Sequence, residues 1–137
     1  MKLNENFKQT WISSIESSSK STMYTIVKNH DLTFEYYLTK LYDTDARILL
    51  KFRTSNHNLP VETGRWKNVP FVNRICKLCN NDVGDEFHYL FKCPSFVNER
   101  KKYIARYYYV KPNMYKMNAL FNSRKLSILI KVSKMCK

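Results

Sequence analysis

Residues 76–93 read CKLCNNDVGDEFHYLFKC, and the spacing of four of these side chains decides how the chain is understood. Two residues separate Cys76 from Cys79, eight separate Cys79 from His88, and four separate His88 from Cys93. Two thiolates from one tight turn can occupy neighbouring corners of a metal tetrahedron. His88 and Cys93 are spaced so that one short helical turn aims both at the same ion. Gly84, in the intervening loop, can supply the positive-φ conformation that a sharp reversal needs. Four side-chain ligands close the coordination sphere, which makes the expected site structural and leaves no position for a catalytic water. A thiolate-rich set with one imidazole favours zinc over magnesium or calcium, so the expected cofactor is one structural Zn2+. Zinc contributes on the order of 10–16 kcal/mol of apparent folding free energy to such modules. That exceeds what so short a loop gains by burying Phe87, Leu90 and Phe91, and the knuckle is expected to be unfolded without metal.

Three other readings of the cysteines compete. Paired disulfides would need an oxidising compartment, a redox C-x-x-C would need a strand before it and a helix after it, and the third reading is chance spacing of buried thiols. The N-terminus MKLNENFKQT lacks the hydrophobic core of a signal peptide, and no apolar run approaches the roughly 18 residues that span a bilayer. The chain is therefore expected inside the cell, nuclear or cytoplasmic, where clustered thiols favour metal. Cys136 stands apart and reads as inert, and His30 and His57 read as structural or solvated.

Outward from the knuckle the pattern is helical. Only two glycines occur in 137 residues, with 44% hydrophobic and 15% aromatic content, which leaves little material for Gly-rich phosphate loops or a turn-heavy sandwich. The expected fold is mainly α, a small helical domain with an embedded Cys-Cys-His-Cys knuckle. Residues 1–55 form a helical N-terminal segment, 56–75 an irregular connector, 76–93 the knuckle and 94–137 a basic helical segment, all in one compact unit. Phe7, Trp11, Ile12 and Ile15 share one helical face, and residues 23–27 fit either strand or helix. Asp31 is placed to cap a helix carrying Phe34, Tyr37, Leu38 and Leu41. Asp43 or Thr44 caps the next, with Ile48, Leu49 and Phe52 inward and Arg47, Lys51 and Arg53 outward. From Thr54 to Pro70, Asn, Gly and Pro punctuate the chain. Pro94 suits the first position of a helix presenting Phe96, Val97, Ile104, Tyr107 and Tyr108. Met114, Met117, Leu120 and Phe121, then Leu126 to Val132, complete the helical pattern.

The net charge of +13 is uneven. Residues 1–45 carry five Lys/Arg against six Asp/Glu, 46–73 five against one, and 74–137 fourteen against four. A basic half that begins with the cysteines points to a polyanionic partner, above all nucleic acid, although a solvated lysine-rich surface gives the same count.

The stretch from Lys51 through Trp66 (KFRTSNHNLPVETGRW), then RICKLC over 74–79 and GDEFHYLFKCP over 84–94, resembles the C-terminal zinc-knuckle region of animal LINE-type (non-LTR) retrotransposon reverse transcriptases. Gln9-Thr10-Trp11 and Glu35-Tyr36-Tyr37-Leu38 also resemble the tail of such reading frames, so the resemblance covers most of the chain. It implies that Cys76, Cys79, His88 and Cys93 bind zinc, and it implies a role in gripping template RNA or target DNA during target-primed reverse transcription. It implies no activity in this chain. A polymerase needs adjacent aspartates on a hairpin to hold two metal ions, whereas Asp43 and Asp45 are separated by a residue in a helical context. No RNase H or endonuclease cluster is legible either, so a non-enzymatic module is expected.

The candidate nucleic-acid contacts are Arg65, Lys67, Arg74, Lys77, Tyr89, Lys92, Arg100, Lys101, Lys102 and Arg106. The cations would hold phosphates and Tyr89 would stack on an unpaired base. Leu90 and Phe91 read instead as a small core around the metal, and Tyr107 to Tyr109 as core or interface. A second reading makes the chain a zinc-stabilised interaction module whose helix from Leu126 to Val132 docks on a reverse transcriptase polypeptide or another partner.

Overall fold

Residues 5–18, 20, 22–28 and 35–137 are described by the computed structural model. Among them nine α-helices run in the order α1 (Glu5–Ser17), α2 (Thr22–Val27), α3 (Tyr36–Lys40), α4 (Asp43–Arg53), α5 (Pro60–Trp66), α6 (Val97–Tyr103), α7 (Arg106–Tyr109), α8 (Met114–Phe121) and α9 (Leu126–Met135). No strand occurs among the described residues; the nearest approach is one isolated antiparallel bridge, Ile75 to Val83. The mainly helical expectation is met. The cap assigned to Asp31 lies outside the described residues, as does His30.

Helix α4 shows why the chain takes this form. Asp43 and Asp45 stand in its first turn and Lys51 and Arg53 in its last, each favourable to the helix dipole. Ala46, Leu49 and Phe52 are buried at three-residue intervals, a single helical face. The cap position belongs to Tyr42, one residue earlier than expected, with Asp43 pairing to Arg47 at 3.0 Å. Opposite α4, helix α9 buries Leu129, Val132 and Met135 at the same interval, and its fully buried Ser133 hydroxyl donates to Asp45 Oδ1 at 2.7 Å. The apolar face expected to dock on a partner thus completes this chain's own core. Phe52 stacks on Phe121 of α8, centroids 5.7 Å apart and planes within 6°. Residues 22–27, ambiguous by pattern, are helical and bury Met23 and Val27 in the same core. In α1 only Ile15 is buried, and Phe7 is exposed.

Two expectations fail for identifiable reasons. Arg53, placed outside by pattern, is 1% exposed. Its Nη1 donates to the Phe121 carbonyl at 3.1 Å, its Nη2 to Glu35 Oε2 at 3.2 Å, and its guanidinium lies 4.9 Å from the Tyr37 ring centre. A buried cation is tolerated when its terminal nitrogens are so engaged, and only Nε of this guanidinium lacks an acceptor. The connector 56–75 is not wholly irregular, since it contains α5. Pro60 opens that helix where its missing N–H costs nothing. Gly64 sits inside α5 because a Cβ there would lie 2.6 Å from Arg74 Cγ.

Candidate metal centre

The polypeptide reaches the centre by two short pieces of structure. The first is a minimal hairpin: Gly84 N–H donates to the Arg74 carbonyl at 2.8 Å and Cys76 N–H to the Asp82 carbonyl at 2.8 Å. At its turn, Asn80 N–H donates to the Cys76 carbonyl at 2.9 Å, and Asn80 takes φ 57. The left-handed position falls on Asn80, a residue that tolerates it, and not on Gly84, whose φ is not positive. Gly84 is required for space instead, because a Cβ would meet Pro60 Cγ at 2.7 Å.

The second piece is a single π-turn, His88–Lys92. Asp85 Oδ1 accepts the His88 N–H at 2.8 Å and so opens the turn. Cys93 N–H closes it on the His88 carbonyl at 2.7 Å, a five-residue ring that brings both ligands to one side. Leu90 and Phe91 are buried beneath it, with Phe87 and Phe91 edge to face at 5.3 Å, as expected for the small core.

Hairpin and turn bring Cys76, Cys79, His88 and Cys93 together with all four donor atoms within 4.8 Å of one another. Cys76 Sγ and Cys93 Sγ are 3.8 Å apart, and Cys79 Sγ is 3.3 Å from His88 Nε2. A tetrahedron with metal–sulfur bonds of about 2.3 Å and metal–nitrogen bonds of about 2.05 Å has S···S edges of about 3.8 Å and S···N edges of about 3.6 Å. The S···S separation matches its edge, the S···N separation is about 0.3 Å shorter than its own, and the sulfurs are far beyond a disulfide bond of about 2.05 Å; all four cysteines are free. Among the described residues this is the one group of three or more such side chains placed to hold a metal ion. The fourth cysteine, Cys136, lies apart, and burial pushes its thiol pKa up.

The protonation states favour ligation at two positions and resist it at a third. Burial works to raise the Cys76 thiol, but the N–H groups of Cys79 and Leu78 outweigh it and hold the pKa below the ordinary thiol value. Burial pushes His88 down, toward the neutral imidazole that ligates a metal. At Cys93 burial dominates and the pKa is raised, so there the metal itself must displace the proton.

The residues around the ligands divide sharply. Arg100, expected to face phosphates, is 5% exposed: its Nε donates to the Leu90 carbonyl at 2.6 Å, and its Nη2 to Tyr89 at 3.2 Å and Cys93 at 2.9 Å. Tyr89, expected to stack on a base, packs edge to face on Phe96 at 4.6 Å and donates its hydroxyl to the Met135 carbonyl. Arg74 is half-buried, donating to the Val69 carbonyl at 2.9 Å and the Val61 carbonyl at 3.0 Å. These three serve the fold, because each meets a carbonyl that would otherwise lack a donor. Arg65 pairs with Glu62 at 2.9 Å and Lys92 with Asp82 at 3.1 Å. Lys67, Lys77, Lys101, Lys102 and Arg106 are exposed. One contact escaped the sequence reading. Buried Glu86 accepts from Ser55 Oγ at 3.3 Å and lies 2.8 Å from His57 Nε2, whose Nδ1 accepts the Leu59 N–H at 3.2 Å. That tautomer makes Nε2 the donor, and the trio latches the knuckle onto the chain after α4.

Fold and site together define a small helical domain with a Cys3His cluster able to hold a metal ion. Comparison with protein-family models, curated proteins and solved structures finds no match for this chain. No helix among the described residues is long and apolar enough to cross a membrane.

Proposed function

We propose that the chain is a zinc-stabilised nucleic-acid-binding module, as its resemblance to retrotransposon reverse-transcriptase tails implies. The observation that carries the reading is the gathering of three thiols and one imidazole, all donor atoms within 4.8 Å, on a hairpin and a π-turn. Three thiolates and a neutral imidazole form a soft donor set that suits Zn2+. Four protein ligands complete its sphere, so the ion serves as a structural cross-link and supplies no activated water. The closed sphere supports reading the chain as a module that binds rather than catalyses.

Beside the cluster Asp82 and Asp85 offset Lys77 and Lys92, so the cationic surface is made mainly by residues farther along the chain. With Arg74 and Arg100 turned inward, exposed Lys67, Lys77, Lys101, Lys102 and Arg106 remain to meet phosphates. The ligands are RNA or single-stranded or target DNA, held mainly through the backbone. Native mass spectrometry of the purified chain tests the metal: one zinc per chain, lost with chelator and with Cys93→Ser, is expected. Titration of fluorescent RNA and DNA oligonucleotides against salt tests the ligand, with affinity falling steeply as salt rises. A metal-free native chain, or affinity independent of salt, refutes the corresponding half of the proposal.

A further inference from the structure

The tract Arg100-Lys101-Lys102 divides on folding. Arg100 turns into the protein, while Lys101 and Lys102 face outward on α6, where α9 packs against them. Lys131 of α9, which no motif singles out, joins them around a cleft of about 160 Å³. The rest of its lining is Tyr103, Ile104, Ala105, Tyr108, Leu120 and Ile128. Lys102 Nζ lies 5.2 Å from the Tyr103 ring centre and covers that ring, so Tyr108 is the aromatic wall left to a ligand. None of the three lysines has a carboxylate within ion-pair distance among the described residues, although Lys92, Arg65 and Arg47 each have one.

We infer that this α6–α9 cleft takes one unpaired nucleotide of a single strand, with Lys101, Lys102 and Lys131 on its phosphates and its base against Tyr108 and Ile128. Three ammonium groups with no carboxylate partner among the described residues line one cleft and favour an anion there, and the apolar floor adds a place for a flat ring. The volume of about 160 Å³ lies below the roughly 300 Å³ at which whole-ligand pockets begin and suits a single base. The largest cavity, about 580 Å³ beside α4, carries Lys51 and Lys137, two lysines against the three gathered here, and two others have the wrong charge. That of about 440 Å³ between α2, α5 and α8 sets Glu62, Asp85 and Glu86 against Arg74 alone, and that of about 210 Å³ beside the metal centre offers Lys77 with Asp85.

This inference rests on the nucleic-acid reading above and deepens it. The test uses zinc-loaded full chain with fluorescent twelve-nucleotide oligo-U and oligo-dT, and a matching duplex. Each phosphate contact to a single strand carries a salt slope of about 0.7, equal to about fivefold in affinity at 0.1 M salt. Lys131→Gln should therefore reduce the slope by about 0.7 and weaken oligo-U binding about fivefold. Lys101→Gln/Lys102→Gln/Lys131→Gln should weaken it about a hundredfold, with unchanged melting temperature and zinc content. Photo-crosslinking of 5-iodouridine oligonucleotide should place the adduct on Tyr108. If the triple variant binds like the parent while Lys67→Gln/Lys77→Gln binds weakly, the cleft is wrong and the nucleic-acid reading stands. If the parent binds none of the three probes, both fall. Crosslinks confined to residues outside the cleft, or duplex binding as tight as single-strand binding, overturn the assignment to an unpaired base.

Discussion

Replacing Arg100 by methionine should release the metal, and the reason lies in the backbone of the π-turn. In a continuing α-helix the carbonyls of Tyr89 and Leu90 would accept the N–H groups of residues 93 and 94. Cys93 N–H is given to His88 instead, and Pro94 has no N–H to give. Two buried carbonyls are thus left without main-chain donors at the point where His88 and Cys93 must be held, and the Arg100 guanidinium supplies both and adds a third bond to Cys93. Methionine keeps the unbranched apolar stem, two atoms shorter, and loses every donor. An unsatisfied buried carbonyl costs about 1–3 kcal/mol, so two of them cost about 2–6 kcal/mol. Because zinc binding and folding of such a knuckle are coupled, about 3 kcal/mol of that cost appears as roughly hundredfold weaker zinc affinity. Arg100→Lys, which retains the charge and one donor direction, should recover part of the loss, and Lys101→Met should change nothing. Competition of each variant against a chromogenic zinc chelator measures the affinities, and the cobalt-substituted protein's absorption reports the geometry of the sulfur ligands. Parental zinc affinity in Arg100→Met, in a protein with parental cobalt absorption, would refute the reasoning.

Three further outcomes follow from the same geometry. Burial pushes Tyr37 up to about 12, so the unfolded chain loses this phenolic proton near pH 10 while the folded chain keeps it. The stabilisation is complete below about pH 10 and is lost as pH rises toward 12, by about 2–3 kcal/mol; denaturant titrations at pH 9 and 11.5, with absorbance following phenolate, check it. Gly84→Ala should destabilise the chain by about 1–3 kcal/mol, since its Cβ meets the Pro60 ring without any backbone strain to blame, and Gly84→Ala with Pro60→Ala should recover stability in a thermal melt. Phe121→Ala removes the ring stacked on Phe52 and should cost about 3–5 kcal/mol, with the zinc content of the surviving folded fraction unchanged by native mass spectrometry.

The ligand set was legible because its information is local: four side chains within eighteen residues carry their own spacing rule, and the hairpin and π-turn only execute it. The helical class was legible for a similar reason, the three-residue recurrence of Ala46, Leu49 and Phe52 or of Leu129, Val132 and Met135. The arginines were not. A helical pattern assigns Arg53 and Arg100 to the outside, and Arg74 reads as a phosphate contact. Each nonetheless ends on buried or part-buried carbonyls, 68 positions away for Arg53 and 5 to 13 away for Arg74 and Arg100, which only the folded chain shows. For Arg100 a signal did exist in the chain, since Pro94 just after the last ligand announces missing donors. Helix α5 was hidden because Pro60 and Gly64 read as punctuation, when one is a helix opener and the other makes room for Arg74. Tyr89 was misjudged by proximity: lying beside His88 in sequence, it points away to Phe96 and Met135.

The separation of partners along the chain also sets an order of events during synthesis on the ribosome. The four residues of the cluster are close neighbours, Cys76 and Cys93 lying only 17 positions apart, so a nascent chain can gather them as soon as that stretch and Arg100, seven positions further on, have emerged. Arg53 must wait for the Phe121 carbonyl, 68 positions later. At translation rates of about 5–20 residues per second that delay is roughly 3–14 s. Throughout it α4 displays Leu49 and Phe52 with no α8 or α9 to cover them. A newly made molecule therefore passes through an interval in which its Cys3His cluster is gathered while the apolar face of α4, Leu49 and Phe52, is still uncovered.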